Sequence, residues 1–189
     1  MRNGLKKIEY NPSISTSFQN CGIILDSTSL EIPRPKLSFS EAKAFWDGKN
    51  HFYSLKKEVA ILNQPPYYAL PPQNFFIGSK HDFTFFQENC QYYLKYLKKT
   101  PSQKAKVASD RQFYFFAILC DKGYIGETPE YPQLRRITPY KGNLNFIERR
   151  FNSDLSKHRI HIEQFFGRLK KSFGIFFRPY KYLFIISKK

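Results

Sequence analysis

The chain has 189 residues, 41% of them apolar, with 20 Phe and 13 Tyr, which suffices for one domain with a substantial core. Lys and Arg number 31 against 15 Asp and Glu, a formal charge of +16. An excess of this size, spread through the whole chain, points to nucleic acid as a polyanionic partner rather than to acidic lipid. Cys21, Cys90 and Cys120 are widely spaced and form no Cys-x-x-Cys pair, which argues against a disulfide framework or structural zinc and fits a reducing compartment. The N-terminus lacks the apolar stretch of a signal peptide, and no run of about 18 apolar residues is present, so no membrane span is expected.

Residues 1–20 read as an irregular polar lead-in. CGIILDSTSLEI at 21–32 is apolar and β-branched, and it breaks at Pro33 and Pro35. It predicts a buried strand with Asp26 near its end. A carboxylate directly after Ile23-Ile24-Leu25 requires a cation or several donors. PRPKLSFSEAKAFWDGKN is a basic loop closing in a turn at Asp47-Gly48. HFYSLKKEVAI at 51–61 is a second strand with a wet face at Lys56-Lys57. The four prolines of 62–76 exclude a regular central strand and leave edge pieces at 67–70 and 75–77.

Residues 78–99 begin in a turn and continue as a helix with Phe86, Tyr93 and Leu97 on its apolar side. Ser79 and Asp82 form a candidate N-terminal capping pair. A basic linker at 100–112 leads to FYFFAILCD, a central strand ending in Asp121. Thr128-Pro129-Glu130 has the chemistry of a helix start, and 135–139 that of a short strand. Residues 143–173 are helical, with a break expected at 150–153.

Within that last helix, Phe151, Leu155, Ile162, Phe166, Leu169 and Phe173 recur at steps of three, four and seven, an apolar stripe along one side. Glu163 lies beside the stripe, bracketed by Ile160 and Phe166, and so is expected to face the packing partner. Its simplest role is a salt bridge to Arg159 or Lys170, the arrangement expected without metal.

Two acids thus end apolar strands and a third follows on a helix. In an α/β sheet, chemistry collects at strand C-terminal ends. Three carboxylates converging there need cations, and an oxygen-only set suits Mg²⁺ or Mn²⁺. Two such ions would serve phosphodiester cleavage. A basic surface around an acidic metal pocket is the profile of a nuclease or polynucleotidyl transferase.

LDSTSLEIPRP at 25–35, WDGKNHFYSLK at 46–56, GSKHDFTFF at 78–86, DKGYIGETPE at 121–130 and NSDLSKHRIHIEQFFGRLKKSFGI at 152–175 resemble, in order, the transposase catalytic domains of the DDE superfamily endonucleases, nearest the IS5-like and Harbinger-like group. The resemblance covers 21–178 and leaves 179–189 as a basic tail. It implies an RNase H-like α/β fold, a central mixed sheet flanked by helices, that cleaves and joins DNA. It makes Asp26, Asp121 and Glu163 the catalytic, metal-holding acids. His81-Asp82 matches a further signature of the group, and Asp82 is assigned to capping the helix or bracing the first strand, with His81 beside it. Tyr124 and Gly123 are assigned to shaping the loop after the strand.

Lys49, His51, Lys56 and Lys57 form one candidate DNA-facing patch, and Arg159, Arg168, Lys170 and Lys171 another. Only 25 residues precede Asp26, too few for the helix-turn-helix usual in this group. A separate DNA-recognition protein, a homo-oligomer, or a truncated, non-catalytic DNA-binding remnant are the readings that follow. A bacterial origin would place the chain in the cytoplasm or nucleoid, a eukaryotic one in the nucleus.

Overall fold

The structure is a computed structural model and describes residues 18, 20–72, 74–105 and 114–174. The expected tail and nearly all of the expected lead-in lie outside these residues. All seven strands of the described residues join one sheet. Strand β1 (Cys21–Glu31) is its centre. Helix α1 (Phe39–Lys43) and the two-residue β2 (Trp46–Asp47) lead into β3 (Phe52–Leu62). The short β4 (Ala69–Leu70) and β5 (Phe76–Ile77) follow, then α2 (Asp82–Leu97) and α3 (Pro101–Ala105). β6 (Ala117–Cys120), β7 (Arg136–Ile137) and the long α4 (Phe146–Ser172) complete the chain.

The strands run in the order β2-β3-β1-β6-β7, with β4 and β5 also on β3. β1 is antiparallel to β3 and parallel to β6, and β7 is parallel to β6. This is the mixed sheet flanked by helices that the resemblance implies. The proline-rich segment contributes only the two short pieces, because proline cannot donate to a ladder.

Strand alternation sorts the core into two layers. Ile23 and Leu25 of β1, Ala60 and Leu62 of β3, and Ile118 and Cys120 of β6 pack with Phe86, Cys90, Tyr93 and Leu97 of α2. Ile24, Val59, Ile61, Ala117 and Leu119 pack on the other side with Leu155 and Ile162 of α4. The expected stripe of α4 therefore packs from Phe151 to Phe166, whereas Phe173 is exposed.

Four expectations are corrected. Asp26 stands mid-strand: β1 continues to Glu31 along β3, while its pairing with β6 ends at Leu25 opposite Cys120. Asp26 is at a strand end only with respect to its parallel neighbour. α4 is unbroken across 150–153. Asn152 turns its amide sideways to the backbone of Tyr140, accepting from its N–H at 2.9 Å and donating to its carbonyl at 3.1 Å, so it leaves the helix backbone intact. Thr128-Pro129-Glu130 starts turns rather than a helix. Pro132 lacks the N–H that would bond the Thr128 carbonyl in the first helical turn. Finally, α2 has His81 at its N-cap and no side-chain cap bond.

One acid sits wholly inside the layer under α2. Glu58 of β3 is 0% exposed. Its Oε1 accepts from Asn89 Nδ2 at 2.8 Å and from the Tyr93 hydroxyl at 2.6 Å. Burial outweighs these bonds and pushes its carboxyl up to about 7. A raised carboxyl costs nothing while protonated in both states, and destabilises the fold as pH rises through the interval from the ordinary 4.5 to about 7. Glu58→Gln is therefore expected to gain stability over the parent with rising pH, levelling above pH 7 at on the order of 3 kcal/mol. Urea midpoints of the two proteins across this range measure it, and a pH-independent difference would refute it.

Candidate active site

The parallel pairing of β1 and β6 places Asp26 and Asp121 one residue beyond the last paired positions, Leu25 and Cys120. By alternation both face α4. α4 meets them with Arg159. Its Nη2 lies 3.2 Å from Asp26 Oδ2 and its Nη1 3.2 Å from Asp121 Oδ1, so one guanidinium joins the two carboxylates. Asp26 Oδ1 also accepts from the Ser27 N–H at 2.8 Å. Burial raises the Asp26 carboxyl above its ordinary value; Arg159 and the Ser27 N–H oppose this, and the negative charges of Asp121 and Asp82 add to it.

Arg159 thus pairs with the strand acids and not with Glu163. Glu163 is exposed, and among the described residues it takes part in no ion pair. It is one turn further along α4. Arg159, Glu163, Phe166 and Lys170 recur at steps of four, three and four and follow one side of the helix. That side leads from the acid pair to a polar cleft of about 310 Å³, lined by Ser27 and Ser29 of β1, Asp82 of α2, Lys49 and Asn50 of the turn before β3, Lys56 of β3, and Phe166 and Lys170 of α4.

Buried Asp47 organises the cleft. Its Oδ1 accepts from the backbone N–H groups of Lys49 and Asn50 at 3.0 and 3.3 Å. Its Oδ2 accepts from the Ser29 hydroxyl and Asn50 Nδ2, both at 2.8 Å, and faces Lys56 Nζ at 3.8 Å. These partners overcome burial and hold its carboxyl below the usual range. Asp47 was legible only as a turn residue; its burial needs the sheet.

The other candidate DNA contacts differ in what they touch. His51, Arg168 and Lys171 are exposed. Lys57 points its ammonium at the carbonyls of Pro72 and, at 3.2 Å, of Asn74, which ties down the proline-rich segment. His81 is exposed at the start of α2. Asp82 lies on the layer opposite Asp26 and Asp121, where its Oδ1 accepts from the Ser27 hydroxyl at 2.7 Å. It braces β1 instead of capping α2.

Asp121 is followed by a tight turn, closed by the Tyr124 N–H to the Asp121 carbonyl at 3.1 Å. Close packing at two glycines, an arginine clamp and a buried ring hold it. A Cβ on Gly123 would stand 2.8 Å from Asp82 Oδ2, and one on Gly126 would stand 2.5 Å from the Phe83 ring. Arg136 of β7 donates to the carbonyls of Tyr124 at 2.9 Å and Gly126 at 2.6 Å. The buried ring is that of Tyr124 itself, beside Glu58. Neither Glu58 nor Arg136 was singled out from the sequence, although Glu58 interrupts an otherwise apolar alternation, Glu58-Ala60-Leu62.

Comparison with known proteins fits this arrangement: the DDE superfamily endonucleases match residues 25–187. The chain belongs to the DDE superfamily endonucleases. No curated protein and no solved structure matches. The mixed sheet flanked by helices is the RNase H-like fold of this superfamily, whose members are DNA nucleases that generally use divalent metals. Among the described residues no helix is long and apolar enough to cross a membrane.

The donor chemistry fits such an ion in part. Asp26 and Asp121 already share one cation, the Arg159 guanidinium, and offer oxygen only. Among the described residues, no three His, Cys, Asp or Glu side chains stand together closely enough to hold a metal. Arg159→Ala would leave two part-buried carboxylates facing each other without a cation. It is expected to lower stability by about 1–3 kcal/mol, part of the cost of breaking a buried pair. Mn²⁺ is expected to raise the melting temperature of this variant more than that of the parent, as thermal melts with and without Mn²⁺ would measure. Equal shifts would mean that the two acids do not compete for a cation.

Proposed function

We propose that the chain is a transposase-type DNA endonuclease and strand transferase, with Asp26, Asp121 and Glu163 as its catalytic acids and Mg²⁺ or Mn²⁺ as its cofactor. The observation that carries this reading is the pair of strand acids sharing one cation on the face covered by α4. When bound, two such ions would activate the attacking oxygen and neutralise the leaving one. Asp26 and Asp121 would hold such ions from the sheet, and Glu163, one turn beyond Arg159 on α4, would supply the third carboxylate. Arg159, no longer needed between the carboxylates, then meets a DNA phosphate. Lys49, Lys56 and Lys170 bind the strand backbone in the adjoining cleft, and His51, Arg168 and Lys171 extend the contact outward. Water cleaves first, and the freed 3′-hydroxyl then attacks target DNA. Its partners are DNA, a second copy or a separate helix-turn-helix protein, and its site of action is the cytoplasm or nucleoid of a bacterium or the nucleus of a eukaryote.

A second reading is a DNA-binding remnant without turnover. It is favoured by Arg159 occupying both acids and by the exposure of Glu163. Nicking of supercoiled plasmid separates the two. The first reading expects Mg²⁺-dependent nicking that EDTA stops and that Asp26→Asn, Asp121→Asn or Glu163→Gln each lowers by about 10³-fold or more. Persistence of nicking in any of the three removes that residue from the acid set. Salt-sensitive binding with no nicking by the parent chain would support the remnant. In either case Lys49→Ala or Lys170→Ala is expected to reduce the slope of log affinity against log salt by about one. Filter binding across a salt series measures this, and an unchanged slope would take these lysines off the DNA path.

A further inference from the structure

The buried pair behind Asp121 has a use that stability alone does not explain. Glu58 Oε2 and the Tyr124 hydroxyl are both buried and both lack a completed hydrogen bond among the described residues. The Tyr124 hydroxyl is close enough to lower the Glu58 carboxyl as a hydrogen-bond donor, and the Glu58 charge in turn raises the Tyr124 hydroxyl. Two orphaned polar atoms in one apolar layer cost stability unless they serve each other, directly or through one water. Glu58 is rigid: Asn89 and Tyr93 fix its other oxygen from α2, and it sits opposite Ser27, the neighbour of Asp26, in the β1–β3 register. Tyr124 is the last residue of the turn that Asp121 opens.

We propose that Glu58 and Tyr124 form a positioning pair for Asp121, in which the Tyr124 hydroxyl, held against Glu58 through the sheet's far layer, sets where the Asp121 carboxylate stands relative to Asp26. The pair reaches the acid site from the side opposite α4, so it touches neither DNA nor metal. It links β3, which flanks Asp26, to the turn after β6, which carries Asp121. Arg136 holds the same turn by its backbone carbonyls, and Asp82 packs closely against Gly123; the hydroxyl adds the tie from the turn's own side chain that fixes its rotation over the sheet. The proposal rests on the reading of Asp26 and Asp121 as catalytic acids.

The test uses the full chain with Tyr124→Phe, Glu58→Leu, the double variant and Glu58→Gln. The readouts are kcat and KM for Mg²⁺-dependent plasmid nicking and amide hydrogen exchange of residues 122–126. Tyr124→Phe keeps the buried ring and removes only the hydroxyl. It is expected to lower kcat about tenfold with KM unchanged, as loss of alignment does, and to speed exchange in the turn while α4 stays protected. Glu58→Leu should do the same. The double variant should be no worse than the poorer single, because one tie is broken in all three. Glu58→Gln should retain most of kcat, since its amide can still donate to the Tyr124 oxygen.

Unchanged exchange in Tyr124→Phe overturns the pair whether or not the chain nicks DNA, and so do effects that multiply in the double variant. A failure of Glu58→Leu to fold leaves the decision with Tyr124→Phe and Glu58→Gln. Asp121→Asn separates the two levels. If it still nicks, the catalytic reading of Asp121 fails. If it is dead while Tyr124→Phe matches the parent in kcat, the positioning pair alone fails.

Discussion

Everything around the site answers one electrostatic requirement: two carboxylates on adjacent parallel strands, both turned toward the same helix, must share positive charge. Leu25 pairs with Cys120, and the next residue of each strand is an acid. Alternation sends both side chains to the α4 layer, and burial raises Asp26 further. Arg159 meets the requirement in the absence of any other cation. The guanidinium suits this place because its planar fork reaches two acceptors at once, which a lysine ammonium on its flexible stem does less well.

The sheet separates two tasks by its two faces. The α4 face carries the proposed chemistry: Asp26, Asp121, Arg159, and then the side of α4 that runs through Glu163 to Lys170, which meets Ser27, Ser29, Lys56 and Asp82 of the other side in the polar cleft. The α2 face carries the support: Asp82 on Ser27 and Gly123, Arg136 on the turn carbonyls, and Glu58 beside Tyr124. A buried acid on the support face is costly, as its raised carboxyl shows. Its retention in an apolar layer is what singles Glu58 out.

The cleft beside the site follows the same logic on a smaller scale. Asp47 is buried at the start of the β2–β3 turn, and its carboxylate gathers backbone N–H groups, Ser29, Asn50 and Lys56. The result is a set of lysine and amide donors on a rigid base, next to the acids and on the line of α4. Lys57, one residue along from Lys56, faces the proline-rich segment and spends its charge on carbonyls there. Neighbouring residues of like charge thus take different roles because a strand turns them to opposite sides.

Short-range pattern made much of this legible. Ile23-Ile24-Leu25-Asp26 and Phe116–Asp121 announce acids after apolar strands, the spacing of Leu155, Ile162 and Phe166 announces the packed side of α4, and the prolines of 62–76 announce a broken edge. What failed were inferences that stopped at nearest neighbours. Thr128-Pro129-Glu130 looks like a helix start until Pro132 removes the next donor, and Asn152 looks like a break until its amide finds Tyr140 across a loop. The partners of Arg159, the burial of Asp47 and Glu58, and the exposure of Glu163 were decided by tertiary structure alone. Periodicity states which side of an element is apolar, whereas charge pairing depends on which residues of distant segments the sheet register brings within a few ångströms. The sequence by itself determined the order of the three acids and the apolar runs beside them; the fold decided the faces they occupy and that Asp26 and Asp121 share one cation, because only parallel pairing of β1 with β6 sets their carboxylates side by side.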